Sequence, residues 1–189
     1  MQVQRQVGLA GDMKAQVASL VQQRLADGLE MRFQIVSGSM EPLLQSGDWV
    51  SVRGTPLSEL RRGDLVCAVR NDHPVIHRVL GRVGAGEGAR LLTRGDSSSR
   101  SDEPWGAGDV LGRVVLARTA GRALDFERAL WRWTNRLCGR CLALRTHLTE
   151  GATQDDSRQV TDWGPFGRTL SRLVNYSCRR WLGLAIRVF

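Results

Sequence analysis

Met31-Arg32-Phe33-Gln34-Ile35 alternates apolar with polar side chains, and the fold class turns on how it is read. Successive side chains on a strand point to opposite faces, so a period of two marks a half-buried β-strand and not a helix. Short apolar runs follow at close intervals, at residues 49–52, 65–69, 75–83, 91–93 and 110–116. Between them lie turn-forming clusters, Ser46-Gly47-Asp48, Arg62-Gly63-Asp64 and the glycine-rich stretch 84–88. Glycine supplies the positive φ that tight turns need, and Ser and Asp bond their own backbone there. Strands this closely spaced leave no room for crossover helices. The reading is therefore a mainly β, mostly antiparallel domain, not a doubly wound α/β fold.

Both flanks read as helix. Upstream, Asp12 can serve as N-cap, Met13, Val17, Leu20 and Val21 recur at helical spacing, and Gly28 can stop the helix. Downstream, Phe126, Leu130, Trp133, Leu137, Cys141, Leu144 and Leu148 are three or four apart and form one apolar stripe. Arg128, Arg132, Arg136 and Arg140 make a separate row at intervals of four. A polar stretch, 149–162, interrupts the pattern before Phe166, Leu170, Leu173, Trp181, Leu184 and Val188 resume it. At an offset of 40 residues Phe126, Arg128, Leu130, Arg132, Asn135, Cys138, Arg140, Leu142 and Leu144 are matched by Phe166, Arg168, Leu170, Arg172, Asn175, Cys178, Arg180, Leu182 and Leu184. This reads as an internal repeat. The expected organisation is a helical segment at 1–30, a β core at 31–120 and a basic amphipathic helical appendage at 121–189.

The chain has 189 residues, 42% hydrophobic and 24% charged, which fits one globular domain with an appendage and excludes disorder. Its 27 basic and 19 acidic residues give a net charge of +8. Residues 1–120 carry 15 basic and 13 acidic side chains, and 121–189 carry 12 and 6, so the excess belongs to the appendage. Lys14 is the one lysine among these cations, and any chemistry needing a lysine further along is excluded. No window reaches the roughly 18 consecutive apolar residues of a membrane span. Residues 1–12 lack the apolar core of a secretory signal. Four irregularly spaced cysteines in such a chain suggest reduced thiols.

Against that background stand Val36-Ser37-Gly38-Ser39-Met40-Glu41-Pro42, then Ser46-Gly47-Asp48-Trp49-Val50, Arg62-Gly63-Asp64-Leu65-Val66 and Val75-Ile76-His77-Arg78-Val79. Leu92-Thr93-Arg94-Gly95-Asp96 and Asp102 close the series. In order and content they resemble the signal peptidase I family of serine endopeptidases, in its eukaryotic, archaeal and sporulation-type branch. The resemblance covers about residues 33–118. It implies a β-rich catalytic core, of a kind shared with LexA-type repressors, in which Ser39 is the nucleophile. A serine hydroxyl needs an adjacent base to take its proton. The bacterial branch uses lysine; the other branch has histidine at the matching position, here His77. Lys14 precedes the whole core and matches no motif, so a Ser/Lys dyad at the family position is impossible.

A histidine base works best when a carboxylate fixes its tautomer. The branch pattern offers two, Asp96 and Asp102. The preferred reading has Asp102 face His77 while Asp96 organises the loop, although the sequence does not order them. The backbone N–H of Ser39 is the natural donor to a developing oxyanion, and Ser37 matches the family position whose hydroxyl assists. The implied substrate is a peptide or protein, held extended along a strand edge with small residues before the cut. No cofactor or metal is expected. Cys138-Gly139-Arg140-Cys141 has zinc-like spacing, but only His147 and Cys178 remain to complete a site. His73 and His147 lie outside the motifs.

The family normally carries an apolar anchor just before the serine motif, and residues 1–37 contain none. The expectation is a cytoplasmic core acting on a leader, signal or propeptide, with residues 121–189 either at the inner membrane face, packed against each other or the core, or on a protein partner. Basic helices with aromatic anchors suit an anionic membrane surface. No nucleic acid is expected, because no recognition motif accompanies the arginines. Two other classes stay open: a self-cleaving regulator of LexA type, and a non-catalytic membrane or partner adaptor on a peptidase core. The absent lysine base and helix-turn-helix count against the first, and the joint presence of Ser39, His77, Asp96 and Asp102 against the second.

Overall fold

The alternation at Met31 becomes β1 (Glu30–Gln34) in the computed structural model, which describes residues 19–150 apart from 22, 26, 71 and 72. The later apolar runs become β2 (Trp49–Arg53), β3 (Leu65–Arg70), β4 (His73–Val83), β5 (Arg90–Arg94) and β6 (Val110–Thr119). A further strand, β7 (Arg122–Asp125), follows a turn at Ala120 and Gly121, and a helix, α1 (Ala129–Glu150), follows that. The strands run in the order β1-β2-β6-β3-β4-β5, with β7 beside β6, and every pairing is antiparallel. A mainly β fold with helix on both flanks is what the period-two pattern required.

The sheet extends past residue 120 because β6 is long. Its middle and end pair with β2 from Arg113 to Arg118, and its other edge takes β3 at Val110–Arg113 and then β7 at Leu116–Thr119. Alternation along β3 divides the interior. Leu65 and Cys67 enter a larger cluster with Met40, Leu43, Leu44, Val52 and Leu124, while Val66 and Ala68 enter a smaller one with Leu60, Val79, Leu91 and Trp105. The centre of the sheet is thus covered on both faces.

Upstream, residues 19–21 and 23–25 are helical, Leu25 is buried in the larger cluster, and Gly28 turns the chain at φ +79°. The Asp12 cap, the second helical copy at 166–184 and Cys178 lie outside the described residues, as does the side chain of Leu148. No described helix is long and apolar enough to cross a membrane.

Helix α1 packs on the sheet through a mixed polar and apolar face, and part of its apolar stripe faces outward. Phe126 precedes the helix, and Leu130, Trp133 and Leu144 are exposed. The buried residues are Trp131, Thr134, Asn135, Cys138, Leu142 and Thr146. Two features select this mixed face. The surface beneath the helix presents the buried Arg78 and Arg94, which donate hydrogen bonds to Asn135 and Thr146. The helix also meets the Arg62-Gly63-Asp64 turn backbone to backbone. A Cβ on Gly139 would lie 2.7 Å from Gly63, and one on Gly63, whose φ is +96°, would collide with the Asn135 carbonyl. Only glycine at both positions permits that approach.

Candidate active site

Ser39 sits on the loop between β1 and β2. Met40, Leu43 and Leu44 are buried beneath it, and the Met40 carbonyl accepts the N–H groups of both leucines. The loop closes where Ile35 N donates to Asp48 O and Gly47 N to Ile35 O. Apolar side chains therefore pin the peptide immediately after Ser39, while Ser37 and Gly38 remain exposed to solvent.

His77 comes from β4, opposite Val66 of β3. Its Nε2 is 3.2 Å from Ser39 Oγ and its Nδ1 is 2.6 Å from Asp102 Oδ2. An ionised carboxylate only accepts, so Nδ1 donates and Nε2 presents a lone pair to the serine hydroxyl. Asp102 is held from the neighbouring strand: Thr93 Oγ1 donates to Oδ2 at 2.6 Å, and Asp102 N donates to Thr93 O at 2.8 Å. Arg70 is 3.7 Å from the other carboxylate oxygen. Trp105 stacks on the imidazole with ring centroids 5.9 Å apart and planes 14° from parallel. The imidazole is thereby fixed on three sides.

Asp96 faces Arg78 instead. The guanidinium donates through Nε to Oδ1 and through Nη2 to Oδ2, both at 2.7 Å, and both side chains are almost wholly buried. This fork anchors the segment that follows β5. From it Ser97 N donates to Ser39 O at 2.9 Å and Ser97 Oγ to Gly38 O at 2.8 Å. Gly95 passes so close that a Cβ there would lie 2.7 Å from Ser39 O and 3.1 Å from His77 Nε2.

Ser37 Oγ lies 3.4 Å from Ser39 Oγ, at the mouth of the site. Sequence reasoning missed Trp105, the role of Thr93, and Asn135 and Thr146 on α1. Thr93 stood within a quoted motif and Asn135 within the 40-residue repeat; Trp105 and Thr146 carried no local signal. His73 begins β4, away from the Ser39–His77 contact. Cys138 is buried and Cys141 partly so. No group of three or more metal-ligating side chains occurs among the described residues. Burial pushes the Cys67 thiol up to about 12, and desolvation raises the Asp64 carboxyl above the usual carboxylate range.

A serine bonded to an imidazole, itself bonded to a nearly buried carboxylate, has the arrangement of a Ser-His-Asp triad, here on a β scaffold. No family model matches the chain. Among curated proteins it is 41% identical over 92 residues to the signal peptidase complex catalytic subunit SEC11 of Colletotrichum graminicola, covering 43% of this chain and 54% of the relative. The subunits of the same name from Chaetomium globosum and Verticillium alfalfae are each 36% identical over 92 residues, with the same coverage. Over those 92 residues the chain is similar to signal peptidase complex catalytic subunits of the eukaryotic type. It spans about half the length of the curated relatives it matches. Those relatives are named as subunits of a signal peptidase complex, a name that gives no support to the expected cytoplasmic location.

Proposed function

We propose that this chain is a serine endopeptidase that removes a leader, signal or propeptide from a protein substrate. The observation that carries the reading is the continuous chain Ser39 Oγ, His77 Nε2, His77 Nδ1 and Asp102 Oδ2, with contacts of 3.2 and 2.6 Å. His77 takes the Ser39 proton as Oγ attacks the peptide carbonyl carbon, giving a tetrahedral oxyanion. Ser39 N–H and the Ser37 hydroxyl donate to that oxyanion. The imidazolium, steadied by Asp102, then protonates the leaving amine and an acyl-enzyme remains. Water, activated by the same imidazole, releases the new carboxylate and restores Ser39. No metal or cofactor has a part in this sequence.

A membrane role for the helical region belongs to the same proposal. Leu130 and Leu144 are exposed on α1, and Arg136 and Arg140 of that helix line a cleft of about 520 Å³ with Arg61 and Arg62. Apolar burial and attraction to anionic lipid would combine on this surface. Assaying Ser39→Ala and His77→Ala against leader peptides encoded by neighbouring genes tests the peptidase reading. Loss of cleavage in both is expected, and undiminished cleavage in both would overturn it. Sedimentation with anionic liposomes at low and high salt tests the membrane part, and absence of binding at low salt would remove it.

A further inference from the structure

The loop that sets the catalytic geometry is itself held from helix α1. Residues 95–99 touch the nucleophile directly, through Ser97 on the Ser39 and Gly38 carbonyls and through the tight passage of Gly95 beside His77 Nε2. Two buried arginines grip this loop at separate points. Arg78 forks onto Asp96, while Arg94 Nη2 donates to Ser98 O at 2.7 Å and Ser99 O at 2.8 Å.

Each arginine also reaches α1 through Nη1. Arg78 donates to Asn135 Oδ1 at 2.8 Å, and Arg94 donates to Thr146 Oγ1 at 2.9 Å. Asn135 and Thr146 lie about three turns apart, so one face of the helix presents both acceptors. Both are buried, as are Arg78 and Arg94. A guanidinium out of water is oriented by its acceptors. Arg78 Nη1 also donates to Gly63 O at 3.0 Å and Arg94 Nε to Ser98 O at 3.1 Å. Losing the helix acceptor therefore does not release either arginine but shifts its orientation and strains its contacts on the loop.

We infer that Asn135 and Thr146 are positioning residues of the peptidase site, acting through Arg78 and Arg94 on the loop that clasps Ser39. Helix α1 is then a working part of the active site and not an appendage to it. The catalytic part of this inference rests on the peptidase reading; the positional part does not.

The test compares Asn135→Leu and Thr146→Val, which keep the branching of the side chain and remove the acceptor, with Thr146→Ser, which restores a hydroxyl. Two measurements are made on the full chain: kcat and KM for a leader peptide, and the NMR resonances of the Ser39 and Ser97 amides and of His77 Nδ1–H. The expected result is a kcat lower by about tenfold or more with KM little changed, because a small misplacement of reacting groups falls on the chemical step. The three resonances move in Asn135→Leu and Thr146→Val and return in Thr146→Ser. Resonances and kcat unaltered in folded Asn135→Leu and Thr146→Val would overturn the inference. Wild-type protein that cleaves nothing would defeat the peptidase reading alone, and the resonances would still decide the positioning. If Asn135→Leu fails to fold, the Thr146 pair decides.

Discussion

Replacing Asp102 by asparagine changes one atom and should abolish most of the catalysis. Asp102 Oδ2 accepts from both His77 Nδ1 and Thr93 Oγ1 at 2.6 Å. In Asp102→Asn one of the two terminal atoms becomes an NH₂ donor. With the amide oxygen turned to Arg70 and the NH₂ group at the Oδ2 position, that group donates to His77 Nδ1, drives the proton of His77 onto Nε2, and leaves the imidazole unable to accept from Ser39. Loss of the correct tautomer costs about 10⁴ in kcat in sites of this class, which is about 5.5 kcal/mol at 1.36 kcal/mol per decade. Two controls grade the effect. Thr93→Val removes one hydrogen bond to a charged acceptor, worth about 1.5–3 kcal/mol, or roughly ten- to a hundredfold. Arg70→Ala removes a half-exposed pair at 3.7 Å and should cost under about 1 kcal/mol. Single-turnover cleavage of a fluorogenic leader peptide, with melting curves to verify folding, measures all three. Equal losses in Asp102→Asn and Arg70→Ala, or an Asp102→Asn rate within tenfold of wild type, would refute the assignment.

Other consequences are separable. Asp96→Ala leaves the Arg78 guanidinium buried without its carboxylate and should lower stability by about 3–5 kcal/mol in urea titration, with Arg78→Met in the same background recovering part of it. Trp105→Ala removes the ring stacked on His77 and a buried member of the smaller cluster, costing about 3–5 kcal/mol of stability, with a drop in kcat beyond what residual folding explains. Native Cys67 should resist thiol reagents at pH 8 while partly buried Cys141 reacts, because burial holds the Cys67 thiol near 12; rapid labelling at Cys67 by peptide mapping would contradict this. For Asp64 the folded state binds its proton more tightly than the unfolded state, so its contribution to stability falls as pH rises through the raised pKa and grows as pH falls through it. Asp64→Asn should lack that slope, so that it shows in the difference between the two urea-midpoint profiles, and parallel profiles would contradict it.

The strands were legible because their signal is local. Alternation at Met31–Ile35 and the Ser46-Gly47-Asp48 and Arg62-Gly63-Asp64 turns define β1 to β4 within a few residues. β7 was not, since Arg122-Ala123-Leu124-Asp125 has little apolar pattern and becomes a strand by pairing with the end of β6. Which face of α1 meets the sheet was not legible for a related reason. Periodicity scores the apolarity of a helix and knows nothing of its partner, and here the partner surface carries two buried arginines that select Asn135 and Thr146. At the site, Ser39, His77 and the two aspartates were found through motif order. Trp105, ten residues past Gly95, reaches His77 through its bridge to Leu91, a contact visible only once β4 and β5 are paired.

The central claim is that Ser39 attacks a peptide carbonyl with His77 as its base. Its most direct test is intact-mass spectrometry of the protein mixed with a leader-peptide ester and quenched in acid within a single turnover. The account predicts a covalent acyl adduct mapping to the peptide that contains Ser39, absent from Ser39→Ala and strongly diminished in His77→Ala. Turnover with no adduct, undiminished in Ser39→Ala, would contradict it.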